Sequence, residues 1–362
     1  MNPKGIRAWK ITFVGIQFIW LSSCVNLPYY FQAIRGHVEV IHRSQPISRI
    51  ISSPDADTRL KNALAKVIEL RQFATDELKL PENHSYTSYA DLNRPYVVWN
   101  VFAAPELSLS LKQWCFVQVG CVNYRGFFLQ DRAEQYAKEL KTEGYDVHVG
   151  GIRAYSTLGW FSDPVLNTFI DYSEMNLARL IFHELAHQIL YVQDDTVFNE
   201  SFATAVEHEG VTRWFKRKGT NQEQQAALLA RYDRELVFVD LVLKHRQRLL
   251  ELYDSDQSDS EKRLQKSKIY RDLKNDFLRV RAENPEFSSY DPWFAQPLNN
   301  ALLSTVSIYT QLVPAFQAII RQSNGDMDKF YETIKYMSEL PKPERNRILQ
   351  QAIEPTSLKN SR

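Results

Sequence analysis

His183-Glu184-Leu185-Ala186-His187 is the most informative stretch of this 362-residue chain. Apolar residues recur around it at helical spacing, which predicts a helix over residues 174–192. Because four residues separate the two histidines, both imidazoles share one helix face and can hold one zinc ion. Glu184 lies about 100° further round the helix. That position suits a general base that takes a proton from water better than it suits a metal ligand.

A second helix after the histidines completes the predicted site. Catalytic zinc takes three protein ligands and keeps one position open for water. A second segment with helical periodicity follows at residues 199–218, and a turn at residues 193–196 would let it pack antiparallel to the first helix. Its first turn would then return Glu200 to the metal. This turn reads Asn199-Glu200-Ser201-Phe202-Ala203.

The residues around this third ligand have expected roles as well. Glu207 lies two helical turns beyond Glu200 and so could share its face, where it would orient a histidine ligand. Asn199 is the other residue that we expect just outside the ligands. His208 and Glu209 stay open as alternative ligands.

The run Asn199-Glu200-x-x-Ala203 resembles the third-ligand helix of the gluzincin metallopeptidases, in which the glutamate completes a site of two histidines and one glutamate. The chain as a whole resembles a bacterial family of lipoproteins labelled putative aminopeptidases. The resemblance implies a zincin-like α+β fold, one Zn²⁺ per chain and hydrolysis of a peptide substrate, as an aminopeptidase or as an endopeptidase. The matching stretches are Tyr96–Leu109, Trp114–Phe128, Tyr145–Leu166, Phe182–Trp214 and Asn299–Phe316.

The gluzincin resemblance also implies a donor for the negative charge that develops on the substrate oxygen. In that group a tyrosine or histidine beyond the third ligand supplies it. Tyr309 is the first candidate here, and His245 and Tyr155 are further ones. Either tyrosine could instead be a packed aromatic residue whose hydroxyl is satisfied elsewhere.

The extended segment 149–160 before the zinc helix is predicted to form the edge of a sheet. In zincins such an edge binds an extended peptide by strand addition. Gly150 and Gly151 would then allow close approach of the substrate backbone, beside Tyr155. A plain hairpin or a bulge is the alternative interpretation of the two glycines.

An aminopeptidase also needs an acidic group that captures the free amine of its substrate. Glu106 and Asp163 are the two candidates, and neither follows from a motif, so cleavage within a peptide stays open. A second hypothesis also stays open: an envelope protein of zincin-like shape that binds zinc or partners without catalysis. Glu184 favours the enzyme, because a structural zinc site has no use for a general base.

Residues 1–23 have the composition of a lipoprotein signal peptide. Basic residues precede a short apolar run at residues 11–20, which leads through Leu-Ser-Ser to Cys24. The run is about half as long as a bilayer-spanning helix. We therefore expect cleavage before Cys24 and lipidation of that residue, rather than an uncleaved anchor. Because Val25 is not acidic, bacterial sorting would place the protein on the outer membrane, facing the periplasm.

The two remaining cysteines, Cys115 and Cys121, form an even pair once Cys24 carries lipid. An exported protein meets an oxidising compartment, in which such a pair can close to a disulfide. Two buried free thiols are the alternative.

Composition sets the class of protein. With 44 Lys+Arg against 43 Asp+Glu, the net charge is +1, which argues against a nucleic-acid partner. Strand patterns at 96–102, 114–122 and 145–149 precede residue 170, and helical patterns follow it, so an α+β fold is predicted with lobes at 24–170 and 171–362. The predicted helices are 28–43, 57–80, 131–142, 174–192, 199–218, 222–252, 260–282, 297–321, 325–337 and 342–353.

Overall fold

The computed structural model describes residues 27–116, 120–154, 156–219 and 222–353. Its fold is mixed α+β, as predicted. The helices are α1 (Leu27–Arg43), α2 (Ile47–Ser52), α3 (Thr58–Leu78), α4 (Gln130–Thr142), α5 (Glu174–Ala186), α6 (Thr196–Arg217), α7 (Gln222–Asp254), α8 (Asp259–Glu283), α9 (Asp291–Phe294), α10 (Asn300–Thr310), α11 (Val313–Gln322), α12 (Met327–Ser338) and α13 (Lys342–Ile353). The strands are β1 (Gln45–Pro46), β2 (Ser88–Ala90), β3 (Val98–Pro105), β4 (Trp114–Phe116), β5 (Gly120–Val122), β6 (Arg125–Phe127), β7 (Tyr145–Ile152) and β8 (Val165–Leu166).

The antiparallel sheet β6–β3–β7 is the largest β structure before residue 170. Successive side chains of a strand point to opposite faces of its sheet. Trp99, Val101 and Ala103 accordingly pack towards α4, whereas Phe102 and Ala104 pack towards α10. Because helices cover both faces, β3 is buried along nearly its whole length.

Helix α5, which carries the two histidines, lies between α3 and α6 in the main hydrophobic core. Ser173 caps its first turn by accepting a hydrogen bond from the Asn176 N–H (3.4 Å). Gly210 lets α6 approach both neighbours, because a Cβ there would collide with the side chains of Leu78 and Phe182. The core therefore fixes the distance between α5 and α6. The main hydrophobic core includes residues from both sides of position 170.

Two predicted helices differ from the structure. The helix predicted at residues 174–192 ends at Ala186, although His187 keeps helical backbone angles (φ −59°, ψ −19°). The predicted helix 297–321 is two helices, α10 and α11, because Pro314 in the first turn of α11 has no N–H and its ring excludes a continuous helix.

Two predicted extended segments differ as well. The predicted strand 114–122 is the two-stranded hairpin β4–β5, in which Cys115 and Cys121 lie opposite each other and are joined by a disulfide. Gly150 and Gly151 lie inside β7, whose pairing with β3 runs without interruption, so they form neither a hairpin turn nor a bulge. The extended segment ends at Ile152.

Helices α7 and α8 form a long hairpin with a second hydrophobic core between them. The helices predicted at 222–252 and 260–282 form this hairpin, and His245 is fully buried within it. No helix in the described part of the chain has both the length and the apolar character needed to cross a bilayer.

A buried ion pair fixes the segment between α5 and α6 to the last helix. The Arg345 guanidinium donates to the Asp195 carboxylate (2.6 Å), and the side chains of both residues are at most 5% exposed. Lys342 adds a more exposed contact to Asp195 (3.0 Å). Asp195 directly precedes α6, so this pair holds the start of the helix that carries Glu200.

We expect Arg345→Met to lower the free energy of unfolding by about 3 kcal/mol, because it leaves a buried carboxylate without its main partner. Arg347→Met is the matched control, since Arg347 lies on the same helix but is 60% exposed in its ion pair. Urea denaturation followed by circular dichroism measures both. Equal stability of the two variants would contradict the structural role of the pair.

Candidate metal centre

The two imidazoles of the central motif converge at the end of α5. His183 lies in the last turn of the helix and His187 follows it with helical backbone angles, so the spacing of four residues keeps them on one face. Their Nε2 atoms are 3.2 Å apart, and the rings are close to perpendicular (81°). Two nitrogens with lone pairs thus face the same point.

Helix α6 returns antiparallel to α5 and brings a carboxylate to that point. The Glu200 Oε2 lies 3.3 Å from the His183 Nε2 and 3.6 Å from the His187 Nε2. The turn before α6 is held by Asn199, whose side-chain amide donates to the Val192 carbonyl and accepts from the Val192 N–H, both at 2.8 Å. Asn199 therefore shapes the connection between the helices and does not touch a histidine in these contacts.

The separations of these three atoms fit a zinc ion. In a tetrahedral site with bonds of about 2.0–2.1 Å, ligand atoms lie about 3.3 Å apart. The observed separations of 3.2, 3.3 and 3.6 Å among His183, His187 and Glu200 match this value. Two nitrogens and one carboxylate oxygen are also the donor set of a catalytic zinc site with one open position.

Behind the ligands, Glu207 holds His183 from its other nitrogen. The Glu207 Oε2 lies 3.2 Å from the His183 Nδ1, and its Oε1 accepts a hydrogen bond from Arg179. Glu235 binds the same guanidinium (3.2 Å). A carboxylate on the second nitrogen of a ligand histidine fixes its tautomer and ring orientation.

Burial and pairing act against each other on the ionisable groups here. Burial raises the pKa of Glu207, but Arg179 and His183 outweigh it and hold that pKa well below its usual range. Burial lowers the pKa of His183, but its hydrogen bonds with Glu200 and Glu207 outweigh it and raise the pKa to about 10. The facing carboxylates therefore favour a proton on His183, and a metal ion that binds its Nε2 would displace that proton.

Glu184 follows His183 on α5 and is partly buried. Together with His183 and Glu207 it lines a cavity of about 440 Å³, whose wall also includes Arg179 and Arg231. Burial raises the pKa of Glu184, whereas the two histidines lower it in part. Gly150 and Gly151 are not among the residues that line this cavity. Gly151 has another reason to lack a side chain, because a Cβ there would collide with the ring of Tyr96.

The alternative ligands lie elsewhere. His208 contacts Gln317 (3.2 Å between Nδ1 and Nε2) and packs against the ring of Tyr232, and Glu209 pairs with Arg213 (2.7 Å). Neither belongs to the cluster that could hold a metal ion.

The candidates for the donor to the developing negative charge and for substrate contacts lie in different parts of the chain, and the structure describes only some of their side chains. His245 is buried in the α7–α8 hairpin with its Nδ1 against the Leu241 carbonyl (2.9 Å). Tyr309 belongs to α10, but its side chain lies outside the described part of the structure, and Tyr155 lies outside the described residues altogether. The same holds for Cys24 and the predicted signal peptide.

The structure brings in two residues that the sequence reasoning missed. Arg179 precedes His183 by four residues on the same helix face, so its spacing was a usable signal. Tyr124, between β5 and β6, had none. Burial raises the pKa of its hydroxyl, and the charges of Glu200 and Glu184 raise it further, so the hydroxyl stays protonated.

Comparison with known proteins identifies one family. A family model described as "Putative aminopeptidase" matches residues 28–349, which include both helices of the candidate centre. No curated protein and no solved structure matches the chain.

We expect Glu207→Gln to weaken zinc binding about 10- to 100-fold, because the neutral amide orients His183 less firmly than the carboxylate does. Glu209→Gln on the same helix is the matched control and should bind zinc like the unaltered protein. Competition with a chromophoric chelator gives both affinities. An unchanged zinc affinity in Glu207→Gln would show that this carboxylate does not support the metal ligand.

Proposed function

The chain belongs to the family of putative aminopeptidases, and we propose that it is a zinc-dependent peptidase of the cell envelope with a zincin-like arrangement of its two site helices. The observation that carries this proposal is the convergence of His183, His187 and Glu200, with Glu184 next to the first of these histidines on the same helix. A lipid on Cys24 would tether the enzyme to the outer membrane, facing the periplasm.

The proposed reaction is hydrolysis of a peptide bond. Zinc, when bound, supplies a Lewis acid that lowers the pKa of water and polarises the scissile carbonyl. Glu184 accepts one proton as the water oxygen bonds to the carbonyl carbon, and delivers it to the amine nitrogen as the carbon–nitrogen bond breaks. Glu207 and Arg179 hold His183 in place throughout and exchange no proton with the substrate.

We propose Tyr124 as the donor to the developing negative charge. Burial and the charges of Glu200 and Glu184 raise the pKa of its hydroxyl, so the hydroxyl stays protonated. A hydroxyl that donates to the developing oxyanion would stabilise the transition state. The gluzincin resemblance suggests Tyr309 as the donor instead, so the phenylalanine variants of both tyrosines distinguish the two candidates.

The acid that would capture a substrate amine is a separate question. Glu106 is unsuited, because its carboxylate pairs with Arg263 (2.9 Å) at the exposed end of the α7–α8 hairpin. Asp163 is 3% exposed and accepts a hydrogen bond from the Thr157 N–H (3.0 Å), and burial raises its pKa to about 6. The aminopeptidase assignment therefore rests on the family. Digestion of free and N-acetylated peptide libraries, read by mass spectrometry, distinguishes it from internal cleavage.

We expect Glu184→Gln to keep its zinc but to lose about 10²- to 10⁴-fold in kcat, since only the proton transfer is removed. His187→Ala should lose both zinc and activity, because a ligand is missing. Metal content after dialysis and peptide hydrolysis are measured on the same preparations. Full activity in Glu184→Gln would favour the alternative, an envelope protein that binds zinc or partners without catalysis.

For Tyr124→Phe we expect kcat to fall about 10²-fold, with zinc content retained, because one hydrogen bond to the transition state is lost. Tyr191→Phe is the control. Burial and the charge of Glu200 raise the pKa of the Tyr191 hydroxyl as well, so this is a comparable protonated tyrosine. Should Tyr309→Phe lose activity while Tyr124→Phe retains it, the donor would be Tyr309.

A further inference from the structure

Helix α1 has apolar residues on two faces, and only one of them packs against the protein. On the packed face, Gly36 leaves space for the ring of Phe128, and Val40 is fully buried. On the opposite face, large apolar side chains recur at intervals of three and four residues and are between 47% and 70% exposed. They are Phe31, Ile34, Val38 and Ile41.

Two other segments extend this stripe on either side. Phe161 lies against His37 of α1, with 4.6 Å between ring centroids, and its neighbour Trp160 is 74% exposed. Leu129 is exposed as well, and it lines a cavity of about 890 Å³ together with Phe31. We call the whole surface the apolar face. Its residues are Phe31, Ile34, Val38, Ile41, Leu129, Trp160 and Phe161.

Such a surface needs an explanation, because soluble proteins seldom expose large contiguous apolar patches that bind nothing. Its charges point to the ligand. Arg35 and Arg43 lie on the same helix, and the only acid of α1, Glu39, is neutralised by Arg43 (3.1 Å) and Arg94 (2.9 Å). With two arginines against one glutamate, the helix carries a net positive charge. An apolar stripe on such a helix is typical of helices that lie in the interface of a membrane with anionic lipids.

The position of α1 in the chain favours the same ligand. The helix begins at Leu27, only three residues after Cys24, and 26 residues of chain that include a basic and apolar segment precede it. This step rests on the proposed function: a lipid on Cys24 would hold the start of α1 at a membrane surface. A helix in that place with an exposed apolar stripe meets the bilayer before it meets any other partner.

We propose that the apolar face docks in the headgroup region of the membrane to which the chain is tethered. Helix α1 lies parallel to the bilayer plane, with Leu129 and the Trp160–Phe161 pair inserted beside it. This docking requires neither zinc nor peptidase activity. It fixes which side of the protein faces the lipid, whereas a lipid anchor alone would leave the protein free to rotate.

The test uses spin labels on the full chain reconstituted in liposomes of phosphatidylethanolamine and phosphatidylglycerol. A cysteine introduced at Val38 carries the label, because Cys115 and Cys121 are joined and Cys24 is modified on this proposal. Leu264→Cys is the matched control, since Leu264 is a similarly exposed (67%) apolar residue, but on α8. Accessibility to oxygen and to a water-soluble nickel chelate reports the depth of each label.

We expect the label at position 38 to be accessible to oxygen and protected from nickel, and the label at 264 to show the reverse. In the double variant Ile34→Glu/Val38→Glu, a label at Trp160→Cys should become as accessible to nickel as the control, while thermal melting stays unchanged. A nickel-accessible label at position 38 would overturn the proposal. So would strong dipolar broadening between labels at low protein density, because a second copy of the chain would then cover the face.

Discussion

The structure depends on two antiparallel helices that bury opposite charges against each other. Helix α5 contributes a cation and two imidazoles at intervals of four residues, and α6 contributes two carboxylates seven residues apart. Each carboxylate would lose several kcal/mol of hydration on burial if it had no partner. Along the interface, residues of α5 and its end alternate with carboxylates of α6, so each carboxylate has a partner on either side. The order is Arg179, Glu207, His183, Glu200 and His187.

Several features outside the centre serve to keep these helices in register. The absent side chain of Gly210 sets their separation, and Asn199 closes the turn through both polar groups of Val192. The Asp195–Arg345 pair then connects the start of α6 to α13. A shift of about 1 Å in α6 would move Glu200 away from the histidines, and misplacement on this scale is costly for catalysis. Residues far from the candidate metal ligands therefore contribute to their geometry.

One loop links the apolar face to the candidate metal ligands. Trp160 and Phe161 belong to the apolar face, whereas Gly159, just before them, packs against Gln188, the residue after His187. Asp163 ends the same loop in a buried position. If the apolar face rests on the membrane, this short connection places the cavity at a defined height and angle above the lipid. A tethered peptidase would then meet its substrates from a fixed direction.

The sequence by itself determined the local features whose causes are local. The spacing of four residues between His183 and His187, the seven between Glu200 and Glu207, and the α+β division follow from helical and strand periods, because those periods depend only on neighbouring backbone geometry. Tertiary structure decided what depends on residues distant in the chain. It brought Arg179 to the centre, removed His208 and Glu209 from it, and left one face of α1 exposed. Helical periodicity shows that this helix has apolar residues on two faces, but only packing decides which of them the protein covers.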